Sequence, residues 1–404
     1  MMDAVNRRLF LKAMGGAGMM SALPEAAFGL LRGETNNIIH EVAEPGQDAE
    51  AKPKYSIRFS VCGMSHDHIY GMVGAILRGG GVLVAAYGAE ADKASAFAKA
   101  FPQAKMVQSE EEILDDPSTQ LVLSSTIPSH RAPLGIKVMQ RGKDFLSDKP
   151  GVTTLEQLAE VRKTIAETKR IYAIMYSERL EVKGAVKAGE LVQAGAVGRV
   201  IQTINIAPHQ IFQPVRSGAD AHAGGASQRP DWFWEPELYG GILCDIGSHQ
   251  VDQFLYYTGS TEVEVVASQI ANVNHPEHPK FQDFGDMMLR GDRGLGYVRL
   301  DWFTPDALGT WGDGRLFILG TEGYIEVRKY INIGVSRSGN NLFLVNKAEQ
   351  RYIDCNNVLL PFGPQFVSDV VNRTHTAQDQ TQCLLAAELV IKAQMKAQVV
   401  HLES

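Results

Sequence analysis

The chain has 404 residues, enough for two or three domains at roughly 150 residues each. Hydrophobic residues make up 45% and charged residues 21%, a globular balance that excludes a disordered or collagen-like chain. Lys+Arg 39 against Asp+Glu 46 gives −7, which argues against a protein built to grip nucleic-acid backbones. Cys62, Cys244, Cys355 and Cys383 lie far apart, without metal-knuckle spacing or a disulfide framework.

Residues 1–31 read as an export signal: Arg7-Arg8, Leu9, Phe10, Leu11 and Lys12 precede an uncharged stretch too short to span a bilayer. The paired arginines with Phe10 and Lys12 resemble a twin-arginine signal, which implies a periplasmic or extracellular protein with no membrane insertion after export. That route carries folded cargo, often with cofactor bound. Residues 32–54, polar and holding Pro45, Gly46 and Pro53, are expected to be a linker.

Residues 55–178 alternate short apolar runs with helical segments, the pattern of a parallel sheet covered on both faces. Ligands in such folds sit outside the carboxyl ends of the strands. Those ends hold Gly63–His68, Gly88, Thr126–His130, Ser147–Pro150 and Tyr176–Arg179. A dinucleotide fingerprint wants GxGxxG after the first strand, yet only Gly63 is in place, with Ser65 and His68 at the second and third glycine positions. Gly88 stands where a ribose-binding acid belongs, with Glu90 two residues later, so NAD and NADP are not separated. His66 and His68 read as contacts to cofactor or substrate rather than as a metal chelate, and no metal is expected.

Lys149, before Pro150, is biased away from helix and placed at the sheet's carboxyl edge. There its ammonium either enters the crevice and polarises a carbinol oxygen or lies on the surface. Residues 239–257 read as a Gly-Gly turn followed by a helix on which Asp245, His249 and Asp252 fall at i, i+4 and i+7. An aspartate one turn from a histidine can orient the imidazole, as a general base requires; a surface ion pair is the bland alternative.

These residues resemble the glucose–fructose oxidoreductase/inositol dehydrogenase/rhizopine-catabolism (Gfo/Idh/MocA) oxidoreductases, from Ser56 to the C-terminus. Asp148-Lys149-Pro150 matches the family's Glu-Lys-Pro, and Thr126, Pro128 and His130 match its Thr-x-Pro-x-x-His turn. Gly240, Gly241, Asp245, Gly247, His249 and Asp252 match its Gly-Gly-x-x-x-Asp-x-Gly-x-His-x-x-Asp helix. The resemblance implies a Rossmann domain over 55–178, an NAD or NADP cofactor, catalytic Lys149 and His249, and Asp245 supporting substrate and base. Gly63, Ser65, His66, His68, Thr126, Pro128, His130, Asp148 and Lys149 are the expected cofactor contacts.

From residue 179 to 404 the texture changes to long alternating strands and two closing helices. This is the expected α+β domain, with an open, mostly antiparallel sheet for substrate binding and oligomerisation. Arg179, Arg229, Trp232, Trp234, Tyr239 and Asp245 are the expected substrate contacts, because aromatic faces and polar forks suit sugar rings. The leading expectation is an exported NAD(P)-dependent oxidoreductase acting on a sugar, glycoside or cyclitol secondary alcohol, homo-oligomeric and with tightly bound, recycled cofactor. The alternatives are a redox-neutral glycosidase or lyase of the same family and a non-catalytic periplasmic sugar-binding descendant.

Overall fold

A computed structural model describes residues 38–44, 53–212, 229–335 and 338–402. The export signal lies outside them, as does most of the loop expected to carry Arg216, His222, Gly224 and Gly225. Among the described residues no helix is long and apolar enough to cross a membrane.

An edge strand, β1 (Ile39–Val42), comes first. Six parallel strands follow: β2 (Ile57–Cys62), β3 (Gly81–Tyr87), β4 (Lys105–Met106), β5 (Leu121–Ser124), β6 (Asp144–Asp148) and β7 (Tyr172–Met175). Their order is β4-β3-β2-β5-β6-β7. The crossovers carry α1 (His68–Arg78), α2 (Ala91–Ala100), α3 (Glu110–Leu114), α4 (Pro128–Gln140) and α5 (Leu155–Thr168). β5, β6 and β7 are buried at every position, as continuous apolar strands between helical layers must be. The strand order reverses between β2 and β5, so the crevice opens at their carboxyl ends.

Two helices, α6 (Ser177–Leu180) and α7 (Lys183–Gln193), lead into β8 (Val200–Pro208). Then come α8 (Pro236–Tyr239), α9 (Ile242–Asp245), α10 (Gly247–Thr258), β9 (Val263–Ala271), β10 (Phe284–Gly291), β11 (Leu295–Asp301), β12 (Arg315–Gly320), β13 (Gly323–Arg328), β14 (Asn341–Asn346) and β15 (Gln350–Asp354). α11 (Phe362–Asn372), α12 (Gln380–Lys396) and β16 (Gln398–Val399) close the chain.

The second sheet runs β1-β15-β14-β13-β12-β8-β11-β10-β9-β16 and is mostly antiparallel, with β8 parallel to β11. Within the expected linker, Ile39, His40, Glu41 and Val42 pair in parallel with β15, and Ala43 is buried behind them. A short β-branched run captured by a sheet edge outweighs the polar composition around it.

α10 is buried along nearly its whole length, between the sheet and α12. A Cβ on Gly247 would stand 2.8 Å from the Met287 Cε, so glycine lets this helix lie flat on β10 and β11. That close seating carries His249 and Asp252 to the nucleotide-type domain.

Candidate active site

The turn after β2 is set by Gly63, whose φ of +88° suits glycine alone; a Cβ there would lie 2.6 Å from the Thr126 Cβ. The loop is laced to the β5 end: Ser125 N donates to Gly63 O at 3.1 Å, His66 N to Ser125 O at 3.0 Å, and Ser125 Oγ to His66 O at 2.6 Å. Ser65 Oγ donates to Glu90 Oε1 at 2.5 Å. Glu90, the N-cap residue of α2, thus brings to the phosphate loop the acid that Gly88 leaves out. Its place at a helix start just past β3 was the available sequence signal.

Asp148, fully buried, is the hub of the crevice. Its Oδ2 takes His66 Nδ1 at 2.8 Å and Arg131 Nη2 at 3.1 Å; its Oδ1 takes His68 Nδ1 at 2.9 Å and the Lys149 amide at 2.8 Å. Burial raises its pKa, but Arg131 and the two imidazoles outweigh that and hold the carboxyl well below the carboxylate range. Arg131 also donates to Thr126 O at 2.7 Å and to Lys149 O. His66, His68 and Asp148 have donor atoms within 4.8 Å of one another, so they could chelate a cation. Here the carboxylate is already satisfied by imidazole N–H groups and a guanidinium. His66 is also burial-depressed to about 4.

Lys149, joined to Pro150 by a cis peptide bond, is buried with its Nζ 2.7 Å from Asp245 Oδ1. The sequence placed Asp245 beside His249; the structure pairs it with Lys149. The helix is interrupted between α9 and α10: Ser248 Oγ donates to Asp245 O at 3.0 Å, and His249 N donates to Ile246 O at 3.2 Å. Asp245 reaches Lys149 at the end of β6. Asp252 likewise has its own partner: Arg179 grips it through Nε at 2.5 Å and Nη2 at 3.0 Å. Arg179, expected to meet substrate, is buried with its fork spent on this pair and stacked over Tyr256 at 4.6 Å.

His249 is buried, with its Nδ1 enclosed and without a hydrogen-bond partner among the described residues. Burial pushes the imidazole down to about 3, Glu178 opposing and Lys149 and His68 adding to the effect. Its ring lies 6.5 Å from His68, which binds the Asp148 beside Lys149, so a short chain of contacts links the two expected catalytic residues.

Arg229 spends Nε and Nη2 on Ile211 O and Gln210 O, at 2.5 and 3.1 Å, between Phe233 (4.6 Å) and Trp302 (5.2 Å). It shapes the wall rather than offering a free fork. Trp234 is stacked on His278 at 3.7 Å, so one of its faces is covered from within. Trp232 lies edge-on to His66 at 6.4 Å. Tyr239 is buried against Phe233, Pro128 is buried at the first position of α4, and His130 is exposed one turn on. His209, outside the expected set, packs against Trp302 and Trp311 at 5.3 and 4.6 Å, and its pKa is lowered to about 4 by burial.

Residues 57–176 match the oxidoreductase family with an NAD-binding Rossmann fold, and residues 185–326 match the GFO/IDH/MocA C-terminal domain. The chain belongs to the Gfo/Idh/MocA family. A solved structure from Erwinia carotovora atroseptica SCRI1043, provisionally assigned as an oxidoreductase, is similar at 44% identity and a TM-score of 0.79. That match covers 85% of this chain and 100% of the other. Two curated Gfo/Idh/MocA-like relatives match over shorter stretches. D-xylose dehydrogenase of Paenarthrobacter nicotinovorans is 28% identical over 137 residues, 34% of this chain and 33% of its own. 1,5-Anhydro-D-fructose reductase of Ensifer adhaerens is 27% identical over 198 residues, 48% of this chain and 55% of its own. The chain thus spans about a third to a half of these relatives' lengths.

Proposed function

We infer that the protein is an exported NAD(P)-dependent oxidoreductase that acts on a secondary alcohol of a sugar, glycoside or cyclitol. The observation that carries this reading is the buried Lys149–Asp245 pair on the crevice wall that also holds His249. The residues fit a dinucleotide: Gly63 leaves room against Thr126 that a Cβ would fill, and Ser65 donates its hydroxyl to Glu90 just past β3. Gly63, Ser65, Thr126 and the α1 N-terminus would hold the pyrophosphate side, with Glu90 on the ribose side. The nicotinamide, when bound, supplies the hydride-accepting carbon.

In this reading His249, neutral at pH 7, takes the hydroxyl proton of the substrate. Lys149, aimed by Asp245, steadies the developing oxyanion. Trp232 offers an apolar face for a sugar ring. Export removes the protein from the cytosolic nicotinamide pool, so the cofactor is held tightly and recycled within each turnover. Mass spectrometry of small molecules released by denaturing the native, exported protein tests this. Release of about one nucleotide per chain is expected, and its absence argues against the reading.

A further inference from the structure

The interruption between α9 and α10 leaves a chemical gap. Asp245 serves Lys149, Asp252 serves Arg179, and the enclosed Nδ1 of His249 has neither. A base whose Nδ1 has no acceptor is not fixed in one tautomer, and a charged imidazolium there has no counter-ion of its own. The carboxylate placed to fill this gap is Glu178, on α6 beside the end of β7.

Glu178 is 3% exposed and touches α10 through Gln250, whose Nε2 donates to Glu178 Oε2 at 2.9 Å. Gln250 is the immediate neighbour of His249. Lys329, 2% exposed just after β13, donates to the same Oε2 at 2.5 Å. Glu178 Oε1, by contrast, is enclosed and finds no protein donor. Burial pushes this carboxyl up, yet Lys329, then His249 and His209, bring it down to about 2, so it is ionised at working pH. Among charged groups it is the one that acts most strongly on the His249 imidazole, in the sense that favours the protonated form.

A purely structural ion pair explains this poorly. Buried pairs contribute little net stability, and a structural carboxylate would have both oxygens satisfied. An acceptor oxygen and an imidazole nitrogen, both enclosed and both unpartnered among the described residues, with Glu178 tied to the residue next to His249, suit a positioning pair bridged by one water.

We propose that Glu178, anchored by Lys329 and Gln250, is the positioning residue of His249, holding its Nδ1 protonated so that Nε2 is the basic nitrogen. The inference rests on the reading of His249 as the base. When His249 takes a substrate proton on Nε2, the imidazolium is faced by Glu178 from α6 and Asp148 from β6. Lys149 and His68 act against it. No proton needs to reach Glu178 itself, so the charges balance within the site.

The test is the tautomer of His249, read by 15N NMR of the histidine-labelled protein with His249→Asn assigning the signal. This readout needs no substrate and stands even if the oxidoreductase reading fails. The wild type should show Nδ1–H and an unprotonated Nε2; Glu178→Gln should lose that preference. Where turnover is measurable, Glu178→Gln should lower kcat roughly 10–100-fold with KM within about 3-fold, and Glu178→Asp should recover part of it. If Glu178→Gln fails to fold because Lys329 is left unpaired, Glu178→Gln/Lys329→Gln carries the same test. An unchanged tautomer, or an unchanged kcat in a folded variant, overturns the proposal.

Discussion

The Lys149 ammonium stands 2.7 Å from the Asp245 carboxylate, joining the end of the nucleotide-type sheet to a helix 96 residues further along the chain. Neither group is satisfied without the other. Lys149→Ala is expected to lower turnover on a confirmed substrate by about 10²–10⁴-fold. Asp245→Asn should instead leave a buried ammonium unpaired, costing about 3 kcal/mol of stability. Steady-state kinetics and denaturant melts of the two variants separate these effects; near-wild-type values in both would remove the pair from the mechanism.

His249→Ala should also lose about 10²–10⁴-fold in kcat. As the proposed base, His249 does not hold the nucleotide, so the variant should still release nucleotide on denaturation. Loss of nucleotide together with activity would make His249 a cofactor ligand instead of a base.

The pH dependence of stability follows from the buried imidazoles. An unfolded histidine titrates near 6.5, whereas folded His249 titrates at about 3. Its contribution is complete above pH 6.5 and declines by about 1.4 kcal/mol per unit as pH falls, levelling off near the folded value. His209 and His66, both lowered to about 4, act in the same direction and over a similar window. Glu178, lowered to about 2, adds a further loss only below the ordinary carboxylate range. Thermal melts between pH 7.5 and 4.5 should show a steep fall, shallower in His249→Gln.

The His66–Asp148–His68 cluster should work without a metal, because Arg131 and the imidazole N–H groups already satisfy the carboxylate. Incubation with a chelator, followed by metal analysis and assay, should leave turnover unchanged. A stoichiometric divalent ion whose removal abolishes activity would reverse that assignment.

Gly63→Ala meets both a positive φ and a 2.6 Å approach to Thr126. Strain of this kind costs on the order of 1–3 kcal/mol. The variant should therefore melt lower and retain less nucleotide; an unchanged nucleotide content would place the pyrophosphate elsewhere.

The amino-acid order by itself determined the two-domain plan, since strand–helix alternation to residue 178 and two-residue alternation beyond it are local periodicities. Strand periodicity placed Lys149 at the parallel sheet's carboxyl edge, and it was the resemblance to the family pattern that grouped it with Asp245 and His249. Only the tertiary structure decided which carboxylate serves which cation. Asp245 and His249 have helical spacing, but Asp245 pairs across the crevice with Lys149 at the end of β6. In the same way Arg179 goes to Asp252 and Arg229 to backbone carbonyls. Pairings across 70 to 150 residues, such as Glu178 with Lys329, leave no periodic trace in the chain, because they arise where separately folded elements meet.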